Sequence, residues 1–295
     1  MLFSLGMNFV EKIKNKPMVG QLLHSANVFF INLGGLIKRR FFYFINKKYL
    51  APNVELKNTE RGRRCFVLAT GPSINSQDLR QLRGELCISV SNFFVHPFFG
   101  EIKPKYHLFA STHSPISDEQ VKTLFEDAER QFPDGQKILI SVEDKYIVDR
   151  YNIFTKQKVY YYYRDGKKGP EDIIRDIDLT RRVPMISTIV HLGIYLAIYL
   201  GSVEVYLLGC DHDSILHLGD SRHFYKEEEH ALKRAGFSEW SQEGVGSHFR
   251  VYWLMWETYR KIKNYSKRRG VEIYNSTPGG MLDVFPRRSL GEVIK

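Results

Sequence analysis

Short apolar runs separated by polar or helix-forming stretches make up most of the chain after residue 64. The runs have the length of buried strands, and those in the first half are Cys65–Thr70, Glu85–Ser91, Tyr106–Ser111 and Lys137–Val142. Gln77–Leu82 predicts a short helix, and Asp118–Phe132 predicts a longer one with Ser117 as its N-cap. Strands that alternate with helices in this way indicate a parallel sheet wrapped by helices.

The clearest unit of this pattern lies further along the chain. Met185–Leu200 is an apolar helix that Gly201 ends, and Val203–Gly209 is a strand of continuous apolar character. Arg250–Arg269 predicts a long amphipathic helix, and Val271–Asn275 predicts a last strand. We therefore predict an α/β fold, with a Rossmann-like, mostly parallel sheet flanked by helices, an N-terminal helical arm and a lid-like insertion.

The first 55 residues form the arm, and residues 56–295 form the domain, with the polar stretch 51–63 as a linker. Residues 38–50 interleave cations with aromatic rings, a composition suited to an anionic membrane surface. Alternatively, the aromatic rings pack on the domain or pair two subunits in a homo-oligomer. Polar residues interrupt the apolar run 19–37, so no bilayer-spanning helix is expected, and no signal peptide is evident.

Two segments, at about 145–182 and 212–247, have the character of lids beside a site. The first contains four consecutive tyrosines, Tyr160–Tyr163. These rings either stack on a base or sugar, or belong to an edge strand with one face in water.

The amino-acid composition limits which classes of molecule the protein is expected to bind. A chain of 295 residues with 43% hydrophobic residues can bury a large core, and its formal charge of +10 attracts polyanions. Nucleic acid, an anionic membrane face and a phosphorylated substrate all fit that charge. No nucleic-acid-binding signature is present, so nucleic acid is not an expected partner. The three cysteines lie in apolar runs, which favours reduced thiols and a cytoplasmic protein. The basic aromatic arm would hold such a protein at the inner face of the cell membrane.

The first predicted strand ends in Thr70-Gly71-Pro72-Ser73. A strand that stops at small residues leaves backbone N–H groups beside a hydroxyl, which suits a phosphate. Pro72 and Asn75 stand where the dinucleotide fingerprint would need glycines, so NAD is not expected. An ordinary strand-to-helix turn with Ser73 as N-cap is the alternative.

Residues 211–225 concentrate histidines and aspartates directly after an apolar strand, where open α/β sheets bind ligands. The three histidines and three aspartates are His212, His217, His223, Asp211, Asp213 and Asp220. They form a metal site, a substrate loop that donates to phosphate or sugar oxygens, or a solvated loop. Because the segment has no pair of histidines spaced for one helix face, no metal is expected.

His248 follows the glycine-containing turn 244–246 at the start of the last long helix. A neutral imidazole can accept a proton from an acceptor hydroxyl, the role that glycosyl transfer needs. A helix cap or an ordinary surface histidine is the alternative.

Several short motifs, in their order and spacing over residues 64–285, resemble a known family. They are Gly71-Pro72-Ser73, Ser91-Asn92, Ile186-Ser187-Thr188, the run 205–211 ending in Asp211, Tyr225, Gly246-Ser247-His248 and Pro278. This order resembles the bacterial metal-independent sialyltransferases that build sialylated lipooligosaccharide, and the related motility-associated flagellin glycosyltransferase domains.

The resemblance implies a CMP-activated nonulosonic acid as donor, inverting transfer to a cell-surface glycan or lipid-linked acceptor, and no required cofactor. It implies that a set of residues at the strand ends holds the donor. These are Thr70, Gly71, Pro72, Ser73, Asn92, Ser111, Ser187, Thr188, Asp211, Pro278 and Gly279. His248 would be the general base, and Tyr225 would stabilise the departing phosphate. Where the family has a second tyrosine this chain has His212, which either takes that role or indicates a different leaving group.

Two other functions stay open at this point. A pyrophosphokinase of the pterin-modifying type shares this kind of domain, and Asp211, Asp213 and Asp220 would then hold Mg²⁺. The other is a non-catalytic polyanion-binding protein.

Overall fold

The computed structural model describes residue 37 and residues 40–112, 116–164, 173–217, 222–226 and 244–294. The chain divides into two compact units, Met1–Lys47 and Lys48–Lys295.

In the first unit, residues 40–46 are helical. Phe41 and Phe44 are exposed, and the Lys47 ammonium lies 4.7 Å from the centre of the Phe44 ring. Of the predicted membrane-contact segment 38–50, residues 38 and 39 lie outside the described residues. Tyr49, in the second unit, packs edge-on against Tyr161 with 6.3 Å between ring centres. Among the residues that the structure describes, no helix combines the length and apolar character that crossing a bilayer requires.

The second unit is built on one eight-stranded sheet in which every pairing is parallel, in the order β6-β5-β4-β3-β2-β1-β7-β8. The strands are β1 Arg64–Leu68, β2 Leu86–Val90, β3 Tyr106–Leu108, β4 Lys137–Ser141, β5 Lys158–Arg164, β6 Arg182–Val183, β7 Glu204–Leu208 and β8 Glu272–Asn275. The α/β fold expected from the hydrophobic pattern is confirmed.

The helices that flank the sheet are α1 Phe99–Ile102, α2 Asp118–Gln131, α3 Lys145–Tyr151, α4 Ile189–Tyr199, α5 Val245–Arg268 and α6 Leu290–Val293. Short 3₁₀ helices occupy Lys47–Tyr49, Ala51–Leu56, Pro72–Ser76, Leu79–Leu82, Ser91–Val95, Val142–Asp144 and Ser214–Leu216. Ser117 caps α2 through a reciprocal capping box with Gln120, as its position in the sequence predicts.

The core lies on both faces of the sheet because successive side chains of a strand point to opposite sides. Along β1, Cys65 and Val67 pack with α4 and α5, whereas Phe66 and Leu68 pack with an aromatic cluster around α2. Helix α4 is apolar on nearly all sides because it is buried almost completely.

The predicted linker 51–63 and the predicted lid 145–182 both contribute contacts to the sheet unit. Asn53, in the predicted linker, donates from Nδ2 to the carbonyl oxygens of Tyr161 and Leu179, each at 2.7 Å. In the predicted lid 145–182, β5 lies between β4 and β6. Its tyrosines are buried or half-buried, so they form an inner strand rather than a wet edge or a stacking platform. Residues 165–172 of that segment, and 218–221 and 227–243 of the second lid, lie outside the described residues.

The strand order creates one break in chain direction. From β1 the chain proceeds strand by strand to β6, and it then returns to the other side of β1 to form β7 and β8. The loops after β1 and β7 therefore leave the sheet toward opposite faces. We call the carboxyl edge between them the crevice, because open α/β sheets bind ligands at such a place.

Candidate functional site

The crevice between β1 and β7 is built around the Asp211 carboxylate. Ser73 donates to it twice, from Oγ to Oδ2 at 2.7 Å and from its backbone N–H to Oδ1 at 3.2 Å. Burial raises the pKa of Asp211, and the two Ser73 hydrogen bonds act in the opposite direction. The Ser73 donors predicted to hold a phosphate are thus engaged by the Asp211 side chain from the loop after β7, a contact that the sequence did not predict.

Gly71 lets the two loops approach this closely. A Cβ atom on Gly71 would lie 1.9 Å from Asp211 Oδ2 and 2.5 Å from the Gly209 carbonyl oxygen. The Gly71 N–H donates to that same carbonyl oxygen at 2.8 Å. Any larger residue at 71 has to push the β1 and β7 loops apart.

The loop after β8 closes the crevice from the other side of β7. The Cys210 N–H donates to Thr277 Oγ1 at 2.9 Å, and the Met281 N–H donates to the Asp211 carbonyl oxygen at 2.7 Å. Pro278 and Gly279 are exposed on this loop. These contacts bring the predicted residues of β7 and β8 to one place.

Residues 222–226 lie across the end of β1. The Phe224 N–H donates to the Thr70 carbonyl oxygen at 3.0 Å, and Thr70 Oγ1 is 3.2 Å from His223 Nδ1. Tyr225 is buried and stacks on His223, with 4.9 Å between ring centres. The structure therefore brings Tyr225 close to the Thr70 turn, although the two are far apart in sequence.

The aspartates proposed for a metal are engaged by other groups. Arg222 donates to Asp213 Oδ2 at 2.8 Å and to Oδ1 at 3.3 Å, while Asp211 binds Ser73. Asp220 lies outside the described residues. Within the described ranges, no group of three or more His, Cys, Asp or Glu side chains is arranged to hold a metal ion.

His212 faces helix α5 and not the crevice. Its Nε2 is 2.7 Å from the Tyr259 hydroxyl, and its ring also packs against Trp256. Burial lowers the pKa of His212 to about 4, so the ring is neutral at pH 7. The expected role of His212 at a leaving group is corrected to that of a contact that holds α5 against the β7 loop.

At the end of β2, a buried histidine supports the Asn92 turn. Ser91 has a left-handed backbone, with φ of 51°. His107 donates from Nε2 to the Ser91 carbonyl oxygen at 2.9 Å, and its Nδ1 accepts from Ser89 Oγ at 2.8 Å. Asn92 is buried, and its Nδ2 has no hydrogen-bond partner among the residues that the structure describes. A buried amide without a partner is costly, which makes Asn92 a candidate for contact with a ligand.

Ser187 and Thr188 lie where the chain enters α4. Thr188 Oγ1 accepts the Val190 N–H as the N-cap, and the Ser187 N–H donates to His191 Nδ1 at 3.2 Å. His191 is fully buried, and burial lowers its pKa well below the ordinary value. The turn is thus held by a neutral histidine of the core.

Glu143 and Asp144, after β4, are carboxylates that the sequence analysis did not select. Ser111 Oγ donates to Glu143 Oε2 at 2.8 Å, and Thr112 donates to Asp144 from both its N–H and its Oγ1. Their position directly after an apolar strand was the only signal in the sequence. These contacts tie the segment after β3, including the predicted donor residue Ser111, to the end of β4.

Burial raises the pKa of Asp144 to about 6, and the Thr112 hydrogen bonds oppose this shift. Glu143 also raises the pKa and Arg164 lowers it. At pH 5 the native carboxyl therefore holds a proton that the unfolded chain has lost. The contribution of Asp144 to stability is fully present below about pH 4 and is lost as the pH rises through 6.

Between pH 4 and pH 7, we expect the free energy of unfolding of the native chain to fall by about 2–3 kcal/mol more than that of the Asp144→Asn variant. Asparagine keeps an acceptor for Thr112 but does not titrate. Urea unfolding of both proteins at a series of pH values measures the difference. A difference that does not change with pH would contradict the assigned titration.

His248 lies in the first turn of α5 and is half-buried. Tyr252, one turn later on the same face of the helix, has its hydroxyl 2.5 Å from Ser214 Oγ and accepts the Ile215 N–H at 3.0 Å. This face of α5 therefore packs on the loop that follows Asp211. The helix direction places His248 at the same carboxyl edge as the crevice.

Three solved glycosyltransferase structures are similar to part of this chain. No family model and no curated protein matches the sequence. The MAf glycosyltransferase from Magnetospirillum magneticum AMB-1 aligns over 82% of this chain at 16% identity, with a TM-score of 0.45, and this chain spans 38% of its length. The sialyltransferase CST-II in complex with CMP aligns over 78% of this chain and 87% of its own at 15% identity, with a TM-score of 0.48. CstII from Campylobacter jejuni with the substrate analogue CMP-3FNeuAc aligns over 79% of this chain and 88% of its own at 14% identity, with a TM-score of 0.41.

Proposed function

We propose that the protein is an inverting glycosyltransferase that moves a nonulosonic acid from a CMP-activated donor to a cell-surface glycan or a lipid-linked acceptor. One observation carries this proposal. Residues that the sequence motifs select from separate parts of the chain follow the ends of β1, β2, β3, β6, β7 and β8, all at the carboxyl edge of one parallel sheet. Ligands of open α/β sheets bind at that edge, beside the change of chain direction.

In this proposal the nucleotide occupies the crevice between β1 and β7. Gly71 and Asp211 form its floor, and Asp211 offers carboxylate oxygens that can accept from ribose or base donors. The partnerless Asn92 amide gains a hydrogen bond when a ligand oxygen reaches it, which favours a bound over an empty crevice.

The chemistry of transfer is assigned to His248 and Tyr225. His248 takes the proton of the acceptor hydroxyl as that oxygen attacks the anomeric carbon of the sugar and the bond to the CMP phosphate breaks. Tyr225 donates its hydroxyl proton as a hydrogen bond to the phosphate on which negative charge accumulates. The residues thus supply general-base catalysis and leaving-group stabilisation.

The arm fits an acceptor at the inner face of the cell membrane. Residues 38–50 alternate cations with aromatic rings, and Phe41 and Phe44 are exposed. Cations attract anionic headgroups and aromatic rings enter the interface below them. We propose peripheral contact of the arm with that surface.

A thermal-shift screen of nucleotides with the full chain tests the proposal. A ligand present at 100 times its Kd adds about 2.7 kcal/mol to the apparent stability. We expect CMP to raise the melting temperature and ATP and NAD to leave it unchanged. CMP-sialic acid and related CMP-nonulosonates then serve as donors in an assay of CMP release, with and without EDTA. No response to CMP would contradict the proposal, and activity that EDTA abolishes would favour a Mg²⁺-dependent phosphoryl transfer instead.

A further inference from the structure

Three carbonyl groups of the loop that follows β8, residues 277–280, bind the same side chain. The Arg287 guanidinium donates to the carbonyl oxygens of Thr277 at 2.8 Å, of Gly279 at 2.6 Å and of Gly280 at 3.0 Å. A planar guanidinium has five N–H donors in a fixed arrangement, so it can bind several carbonyl groups at once. Arg287 therefore holds nearly every carbonyl group of this loop.

The backbone of Arg287 is itself fixed beside β8. Arg287 forms a parallel bridge with Asn275, and the Asn275 N–H donates to the Pro286 carbonyl oxygen at 2.9 Å. Ser276 Oγ donates to the Arg288 carbonyl oxygen at 2.7 Å. The guanidinium thus extends from an anchored strand-like segment and reaches back over the loop.

The hydrogen bonds of Arg287 also fix the orientation of the peptide groups in the loop. In a trans peptide the C=O and N–H point in opposite directions. Because the carbonyl groups of Gly279 and Gly280 point to Arg287, the N–H groups of Gly280 and Met281 point away from it. The Met281 N–H reaches the Asp211 carbonyl oxygen at 2.7 Å, so that side of the loop faces the crevice.

The loop needs this support because of its own composition. Gly279 and Gly280 both have left-handed backbones, with φ of 69° and 70°. A Cβ on Gly280 would lie 2.7 Å from the Asp211 carbonyl oxygen, so glycine is required there, and glycine loses the most conformational freedom when it is ordered.

We propose that Arg287 is a positioning residue of the nucleotide site, which orders the 277–280 loop as the wall of the crevice beside Asp211. This rests on the proposed function for the identity of the ligand. Arg287 acts through the loop backbone and does not contact the donor. An ordered wall lowers the conformational cost of binding, so its loss weakens affinity for the nucleotide.

Three variants of the full chain test the inference: Arg287→Ala, Arg287→Lys and, as the matched control, Arg288→Ala. Arg288 is the neighbouring residue, but its guanidinium stacks on the Tyr274 ring at 4.0 Å and does not touch the loop. We expect Arg287→Ala to raise the Kd for CMP by about ten-fold and Arg288→Ala to change it by less than about two-fold in calorimetric titration. Arg287→Lys keeps the charge but cannot span three carbonyl groups, so we expect its Kd to rise nearly as far.

Hydrogen exchange without ligand separates this inference from the proposed function. We expect the Met281 amide to exchange at least about ten times faster in Arg287→Ala than in the native chain or in Arg288→Ala. An unchanged exchange rate of the Met281 amide would overturn the inference that Arg287 orders the loop, regardless of the measured Kd for CMP. A native-like Kd for Arg287→Lys would overturn it too, because Arg287 would then act through its charge. If the native chain fails to bind CMP while exchange accelerates as expected, the proposed ligand is wrong and the ordering role of Arg287 stands.

Discussion

Replacing His248 by alanine is expected to lower kcat for sugar transfer by roughly 100- to 10,000-fold. The half-buried imidazole lies at the start of α5, on the helix face that packs beside the loop after Asp211. Without it, no side chain is assigned to take the proton from the acceptor hydroxyl. The affinity for CMP should stay within about two-fold of the native value, since the crevice proposed for the nucleotide lies between β1 and β7. Single-turnover transfer and calorimetric titration measure the two quantities.

Phe249→Ala is the control for this variant. Phe249 is the next residue of the same helical turn and is 61% exposed, so its replacement changes the helix start but not the proposed base. We expect it to leave kcat nearly unchanged. Full turnover in His248→Ala would remove His248 as the base, and an equal loss of CMP binding would make it a structural residue of the site.

Gly71→Ala is expected to abolish the thermal response to CMP and to lower the free energy of unfolding by about 1–3 kcal/mol. Gly71 has φ of −65° and ψ of 151°, a conformation that alanine adopts freely, so the effect is steric alone. The added methyl group would meet Asp211 Oδ2 at 1.9 Å and the Gly209 carbonyl oxygen at 2.5 Å. The loops after β1 and β7 then have to separate, and the floor of the crevice is lost.

Two further variants make this test specific. Gly100→Ala adds a methyl group with no atom within 4 Å, and we expect it to change stability by no more than about 1 kcal/mol. Asp211→Ala in the Gly71→Ala background should not restore stability, because the Gly209 carbonyl group is backbone and stays in place. Urea unfolding decides both points. A Gly71→Ala protein with native stability and a full CMP response would show that the close approach of the two loops is not required.

The observed helix boundaries differ from those that the local sequence pattern predicts. The predicted helix Met185–Leu200 begins only at Ile189, because Thr188 caps it and the Ser187 N–H turns to His191. In contrast, α5 begins at Val245 and not at Arg250, since Gly244 serves as its N-cap position. A glycine-containing turn predicts a loop from the sequence, but Gly246 lies within the first turn of α5, where an isolated glycine is tolerated.

The period of apolar residues along this chain was enough to predict six of the eight strands and the helices α2, α4 and α5, whereas most candidate residues at the strand ends came from the resemblance to a known family. Those strands and helices depend on neighbours within a few residues. The strand order, in which β7 returns beside β1, was decided only in the tertiary structure. That order also determined which partners the polar groups at the sheet edge have. Ser73 binds Asp211 across 138 residues of chain, and that contact engages the hydroxyl that the sequence assigned to a phosphate. The physical reason is that each buried donor or acceptor must find a partner in space, and which group is near depends on how the strands are ordered.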